Sequence, residues 1–179
     1  MTIFYISDLH FGHANIINLC NRPFSSVEDM DAAIIERWNA KVRAQDHVYL
    51  LGDVAFRNNT PVAEYVRQLK GHKHLIVGNH DASWMADTNP RKLFESVDLM
   101  AEIEDGGQKL TLCHYPMFSW IPKTLLVYGH IHNNKHDAYW HVLSTYKKAL
   151  NASVEVNNYE PVTLAELVEN NRRWKAEEV

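Results

Sequence analysis

A layered α/β sandwich is the fold class this sequence predicts, and three observations carry it. Short apolar runs at residues 3–7, 47–51, 74–77, 110–113 and 125–128 read as strands. Segments of helical periodicity separate the earlier runs, so strands and helices alternate. The second half of the chain is richer in strand signals than the first.

The elements follow in chain order. After the first strand, Asp8 to Asn15 leads into a helix that begins near Ala14, where His13 and Asn15 can serve as caps. Ser25-Ser26-Val27-Glu28 is a capping-box signal. Behind it Val27, Met30, Ile34, Trp38 and Val42 recur at helical spacing, with Glu28, Asp31 and Arg37 facing away. Thr60 reads as an N-cap, Pro61 takes the first helical position, and Gly71 suits the stop. Asn89-Pro90 opens a shorter helix reaching about Val97. Residues 100–103 and 109–113 flank Asp105-Gly106-Gly107, a hairpin turn. Residues 153–156 read as one more strand. Thr163-Leu164-Ala165-Glu166 is a second capping box and starts a C-terminal helix whose polar end, from Asn170, is expected to fray.

Composition sets outer limits. A chain of 179 residues is most simply one domain, residues 1–179, in which roughly 70% of the unfolded surface can be buried. The net charge of −4 argues against a general binder of nucleic-acid backbone, which is normally basic. It leaves room for a small phosphate ester, because bound cations reverse the local sign. It says nothing of oligomeric state. Two cysteines, Cys20 and Cys113, read as free thiols in a reducing compartment. Cys113 stands beside His114, where a small apolar core residue is the favoured reading over a ligand. The N-terminus reaches Asp8 too early for a signal peptide, and no apolar run approaches the ~20 residues that span a membrane. A cytoplasmic setting with no membrane partner is the expectation.

Histidine is the compositional excess: 11 in all, six of them in or beside the motifs. Each strand run ends in candidate ligands: Asp8-Leu9-His10, Gly52-Asp53, Gly78-Asn79-His80-Asp81, His114, and Gly129-His130-Ile131-His132. Ligands in α/β proteins bind at the carboxyl ends of strands, so these clusters are expected to converge. Carboxylate, imidazole and amide together suit one or two divalent transition ions. If residues 8–10 are extended, Asp8 and His10 point to one side and can share an ion. His130 and His132 suit a turn in which each faces a different ion. The glycines preceding the ligands leave room for tight turns. His47, His72, His74, His136 and His141 read as structural histidines.

In this order the five clusters resemble the calcineurin-like metallophosphoesterase superfamily, with its D-x-H, G-D, G-N-H-[DE], H and G-H-x-H pattern. The stretch from Asp8 to Asn15 is similar to a small bacterial or phage branch of that family. The resemblance implies four layers, with two mixed β-sheets packed face to face and helices outside. It implies two divalent ions bridged by Asp53, the first completed by Asp8, His10 and His132, the second by Asn79, His114 and His130. Manganese, iron, zinc and nickel all fit such ligands. A carboxylate can bridge with both oxygens, and a water between two cations about 3.5–4 Å apart deprotonates near neutral pH to act as nucleophile. His80 is then the general acid, with Asp81 fixing its tautomer.

Arg22 and Arg57 are candidates to hold the substrate phosphate, with an ion pair or a surface position as the plain alternatives. His13 stands close enough to the motif to line the site. Tyr115, Phe118 and Trp120 suit stacking on a base or aryl ester, or packing of a loop. The resulting expectation is a metal-dependent phosphoesterase acting on a small phosphate ester, with phosphodiesters slightly favoured over monoesters. The alternatives are a non-catalytic scaffold of the same fold and a nuclease on RNA or DNA.

Overall fold

The computed structural model describes residues 1–56 and 60–177. Among these residues eight strands form two four-stranded sheets. The first holds β1 (Ile3–Ile6), β2 (His47–Leu50), β3 (His72–Ile76) and β4 (Ser96–Asp98) in that order, all parallel. The second holds β5 (Met100–Asp105), β6 (Gln108–Cys113), β7 (Leu125–Tyr128) and β8 (Ala149–Asn151). Here β5–β6 is an antiparallel hairpin and β6–β7–β8 is parallel. The expected pair of mixed sheets is therefore one parallel and one mixed sheet. The antiparallel contact to β1 is an isolated bridge, Tyr5 with Val162, while Ser7 bridges Ser153 in parallel and joins the two sheets.

The period of two along each strand sorts the core. Phe4, Ile6, Val48, Leu50 and Leu75 face the helices and join Met30, Ile34 and Trp38. Tyr5, Leu51 and Ile76 face the other way and meet Leu110, Leu112 and Val127 of the second sheet. The helices are α1 (Ala14–Leu19), α2 (Val27–Lys41), α3 (Val62–Val66), α4 (Ala82–Met85), α5 (Trp140–Leu143) and α6 (Leu164–Ala176). Among the described residues none is long and apolar enough to cross a membrane.

Several boundaries depart from the sequence reading. The cap of α2 is Ser26, whose hydroxyl accepts from the Asp29 backbone N–H, so the capping signal is shifted by one residue. The N-cap of α3 is Pro61, not Thr60, and the helix is a single short segment. Asn89 caps only a 3₁₀ turn, Pro90–Lys92, because β3 recruits residues 96–98 as a parallel edge strand. Residues 153–156 are a turn after the Ser153 bridge, not a strand. The capping box at Thr163 and Glu166 forms as expected, and α6 runs to Ala176 without fraying at Asn170. Both cysteines are free.

Trp38 ties α2 to the parallel sheet. It is fully buried, and its indole N–H donates to the Lys70 carbonyl at 2.9 Å. Trp38→Ala should therefore cost about 3–5 kcal/mol, read by denaturant unfolding. A loss below about 1 kcal/mol would mean that the helical layer closes over the gap.

Candidate metal centre

Every predicted ligand lies at a strand end, and the backbone there is strained in a shared way. Asp8, His10, Asp53, His130 and His132 all have positive φ, between 50° and 74°. Left-handed conformations cost energy for residues with a Cβ and cluster at sites where the surroundings impose them. Asp8 and His10 are thus not extended; they reach a common centre through left-handed turns.

Two groups of side chains result. In the first, the ring of His132 lies 5.1 Å from that of His10, and its Nε2 is 4.0 Å from Asp8 Oδ1. In the second, Asn79 Oδ1 is 3.0 Å from His114 Nε2 and 2.9 Å from His130 Nδ1. Asp53 stands between them. Its Oδ2 is 3.6 Å from His10 Nε2 and 3.5 Å from His114 Nε2, while its Oδ1 accepts the His80 backbone N–H. One oxygen, and not two, faces both groups.

Glycines permit this closeness. A Cβ on Gly78 would collide with Asp53 Oδ1, and one on Gly129 would collide with Ser7 Oγ and stand 2.6 Å from Asp8 Oδ2.

Donor chemistry fits divalent cations. Both ring nitrogens of His10 are buried without a hydrogen-bond partner among the described residues, an arrangement that native interiors rarely tolerate. Asp8, His10 and His132, and separately Asp8, Asp53 and His114, bring their ligand atoms within 4.8 Å of one another. The ring N–H groups that would face away from an ion are already engaged. His114 Nδ1 donates to the Leu51 carbonyl at 2.7 Å, and His132 Nδ1 donates to Glu155 Oε1 at 3.0 Å. Such contacts fix the tautomer and leave Nε2 for the metal.

The electrostatics of the site agree. Burial lowers the His10 pKa well below the usual imidazole range. Burial also works against a charged His114, but the Asp53 hydrogen bond and the nearby Asp8 outweigh it and raise the pKa to about 9. At His132 burial is likewise overcome, by Asp8 and Glu155, and the pKa rises to about 11. Asp53, despite burial, is held down at about 2 by His114. The site is a set of carboxylates that draws positive charge.

The remaining predicted residues divide. His80 borders the first group, its ring 5.3 Å from His10 and 4.1 Å from Phe56. Asp81 does not hold the His80 ring. Its carboxylate is fully buried on the far side of the turn and accepts from the backbone N–H of Asp53, Val54 and Gly78 and from Trp84 Nε1. Through these bonds Asp81 braces the Asp53 loop. Arg22 points inward and not toward solvent. It is buried, donates to the carbonyls of Asp8 and Leu9, and pairs with Glu155 at 2.7 Å. His13 is buried against His10 and Phe56. Arg57 lies outside the described residues.

Tyr115 packs on the edges of His114 and His130, Trp120 donates to the Thr124 carbonyl within its loop, and Phe118 is 83% exposed. Glu155 and Asn151 carried no sequence signal. Glu155 joins Arg22 to His132, and Asn151 Nδ2 donates to the His132 carbonyl at 2.7 Å.

Glu155→Gln should lower divalent-ion affinity about 10–100-fold, measured by competition with a chelating dye, because the acceptor that orients His132 loses its charge. An unchanged affinity would show that packing alone aims the ring.

Comparison with known proteins agrees with this architecture. Residues 1–146 match the model of the calcineurin-like phosphoesterase superfamily domain. An uncharacterized protein of Methanocaldococcus jannaschii is 41% identical over 169 residues, covering 90% of this chain and 86% of its own. The gene 66 protein of Mycobacterium phage L5 is 29% identical over 129 residues, 63% of this chain and 62% of its own. The crystal structure of a protein of unknown function from Aquifex aeolicus aligns with a TM-score of 0.70 at 28% identity, covering 93% of this chain and 97% of that one. With a family model spanning both halves of the ligand set, the chain belongs to the calcineurin-like phosphoesterase superfamily and is a phosphoesterase.

Proposed function

We propose that the chain is a single-domain hydrolase of phosphoric esters that works with two divalent ions, and that it favours phosphodiesters over monoesters. The observation that carries the two-ion reading is Asp53 Oδ2, nearly equidistant from His10 Nε2 and His114 Nε2. Asp8, His10, Asp53 and His132 would hold one ion, and Asp53, Asn79, His114 and His130 the other. When bound, such ions offset phosphoryl charge and lower the pKa of the attacking water.

The chain's own residues supply the rest. His114 and His132 present Nε2 inward because Leu51 and Glu155 engage their other nitrogen. His80 lies beside His10 with its backbone tied to Asp53, and it delivers the proton that the leaving alkoxide oxygen requires. Ring packing by Phe56, and not Asp81, orients it. Tyr115 stands against His114 and His130, where its exposed ring can stack on an aryl or base substituent.

Substrate preference rests on the adjoining cleft. A cavity of about 620 Å³ opens beside His130 and His132 and is lined by Asn21, Asn134, His136 and Tyr139, with no lysine or arginine among its described lining residues. With Arg22 locked inward, the described residues present no cationic clamp of the kind a monoester dianion calls for. A diester monoanion suits it better. The free cysteines suit a reducing compartment, the cytoplasm.

The protein should bind about two divalent ions, and Asp53→Ala should weaken both, as read by elemental analysis. Full occupancy in that variant would remove the bridge. With manganese, wild type should cleave an aryl phosphodiester faster than the matching monoester; the reverse order would overturn the diester preference. His80→Ala should keep its ions yet lose about 10²–10⁴ in turnover on an ester with a poor leaving group, and far less on an activated aryl ester. Equal losses on both esters would exclude His80 as the acid.

A further inference from the structure

A second cluster of ligand-type side chains lies at the opposite end of the first sheet, where β2 and β3 begin. His47 pairs with His72 across β2 and β3, and Tyr49 with His74, so the period of two places all four on one face. Farther inward this face packs against the second sheet; here its rings stack on one another. The rings of His47 and His74 lie 5.2 Å apart at 16°, and Tyr49 covers His74 at 4.7 Å. His47 Nδ1 is 2.9 Å from His74 Nε2, and Glu95, just before β4, brings Oε2 to 4.0 Å from that same nitrogen.

We propose that His47, His74 and Glu95 form an auxiliary binding site for a divalent transition ion such as zinc or nickel, separate from the catalytic centre. The three ligand atoms lie within 4.8 Å of one another. Two ligands of one tetrahedral ion stand about 3.3 Å apart at Zn–N lengths near 2.0–2.1 Å, so small side-chain rotations complete the geometry.

The supporting contacts are in place. His74 Nδ1 is 3.1 Å from Ser96 Oγ; with its proton directed there, Nε2 presents a lone pair. Burial and the neighbouring His47 lower the His74 pKa, which favours the neutral ring that a metal requires. His72 Nδ1 bonds Glu95 Oε1 and steers its other oxygen toward His74. His47 need only carry its proton on Nε2 in place of Nδ1. The His74 side chain is 13% exposed and the Glu95 side chain 50%, so an ion can enter from solvent while Tyr49 closes the inner side. Bound there, it would join β2, β3 and the start of β4, an edge that otherwise relies on a three-residue strand.

The test compares the metal-free full chain with the His47→Gln/His74→Gln double variant and with Glu95→Ala, each titrated with zinc and with nickel. The double variant should bind about one ion fewer per chain than wild type, while turnover with manganese stays unchanged. The rise in melting temperature on adding zinc should shrink by the share this ion contributes. Glu95→Ala, at a half-exposed position with little risk to folding, should weaken the same ion at least about tenfold. The count is a difference between proteins, so it stands whatever the catalytic centre holds. Equal ion counts and equal thermal shifts in wild type and both variants would overturn the site.

Discussion

Two carboxylates buried side by side, Asp8 and Asp53, are the constraint around which this molecule is organised. Taking a carboxylate out of water is costly unless hydrogen bonds and opposite charge compensate it. Asp8 accepts from Ser7 Oγ, from Ser153 Oγ at 2.8 Å and from the His130 backbone N–H. Asp53 receives the His80 N–H and faces two imidazoles. These partners come from five different strand ends, so the carboxylates are satisfied only when both sheets are assembled. The left-handed turns at the ligands, and the glycines that cannot carry a Cβ beside them, follow from that demand. Divalent ions are the natural complement to what remains.

Around this pair the fold supplies two braces. Asp81 gathers four N–H donors from the loops after β2 and β3 and from α4, and so fixes Asp53 relative to Asn79 and His80. Arg22 and Glu155 form a buried ion pair whose guanidinium also holds the carbonyls of Asp8 and Leu9, while the carboxylate holds His132. Burial alone would raise the Glu155 pKa; Arg22 and His132 overcome it and keep the carboxyl at about 2. Both partners thus favour the carboxylate anion. One brace joins loops within the first sheet, and the other joins the two sheets.

The first sheet thus carries histidines at both ends, with opposite surroundings. At the carboxyl ends of its strands, His10 and His80 stand among buried acids and strained turns. At the amino ends, His47, His72 and His74 lie on regular strand backbone beside a single, half-exposed glutamate. Parallel pairing produces both arrangements. It aligns every strand start on one edge and every strand end on the other, so residues at equivalent strand positions meet although they stand 22 or more positions apart in the chain.

Much of this was legible in the sequence, because strand ends in a parallel sheet must converge and the ligand clusters mark those ends in order. The five runs became strands, the hairpin at Gly106-Gly107 and the capping box at Thr163 formed as local chemistry dictates, and the seven candidate ligands came together. Tertiary structure decided what local pattern does not encode. Residues 96–98 became a strand only because β3 had a free edge. Asp81 turned from His80 toward backbone donors because its turn buries it, and Arg22 turned from solvent toward Glu155, 133 residues away. Glu155 belongs to no motif, and the histidines of β2 and β3 read as ordinary strand residues until register laid them side by side. The sequence determined which residues gather at the centre. Which groups orient them depended on long-range partners for buried charge, and those exist only once the two sheets have closed on each other.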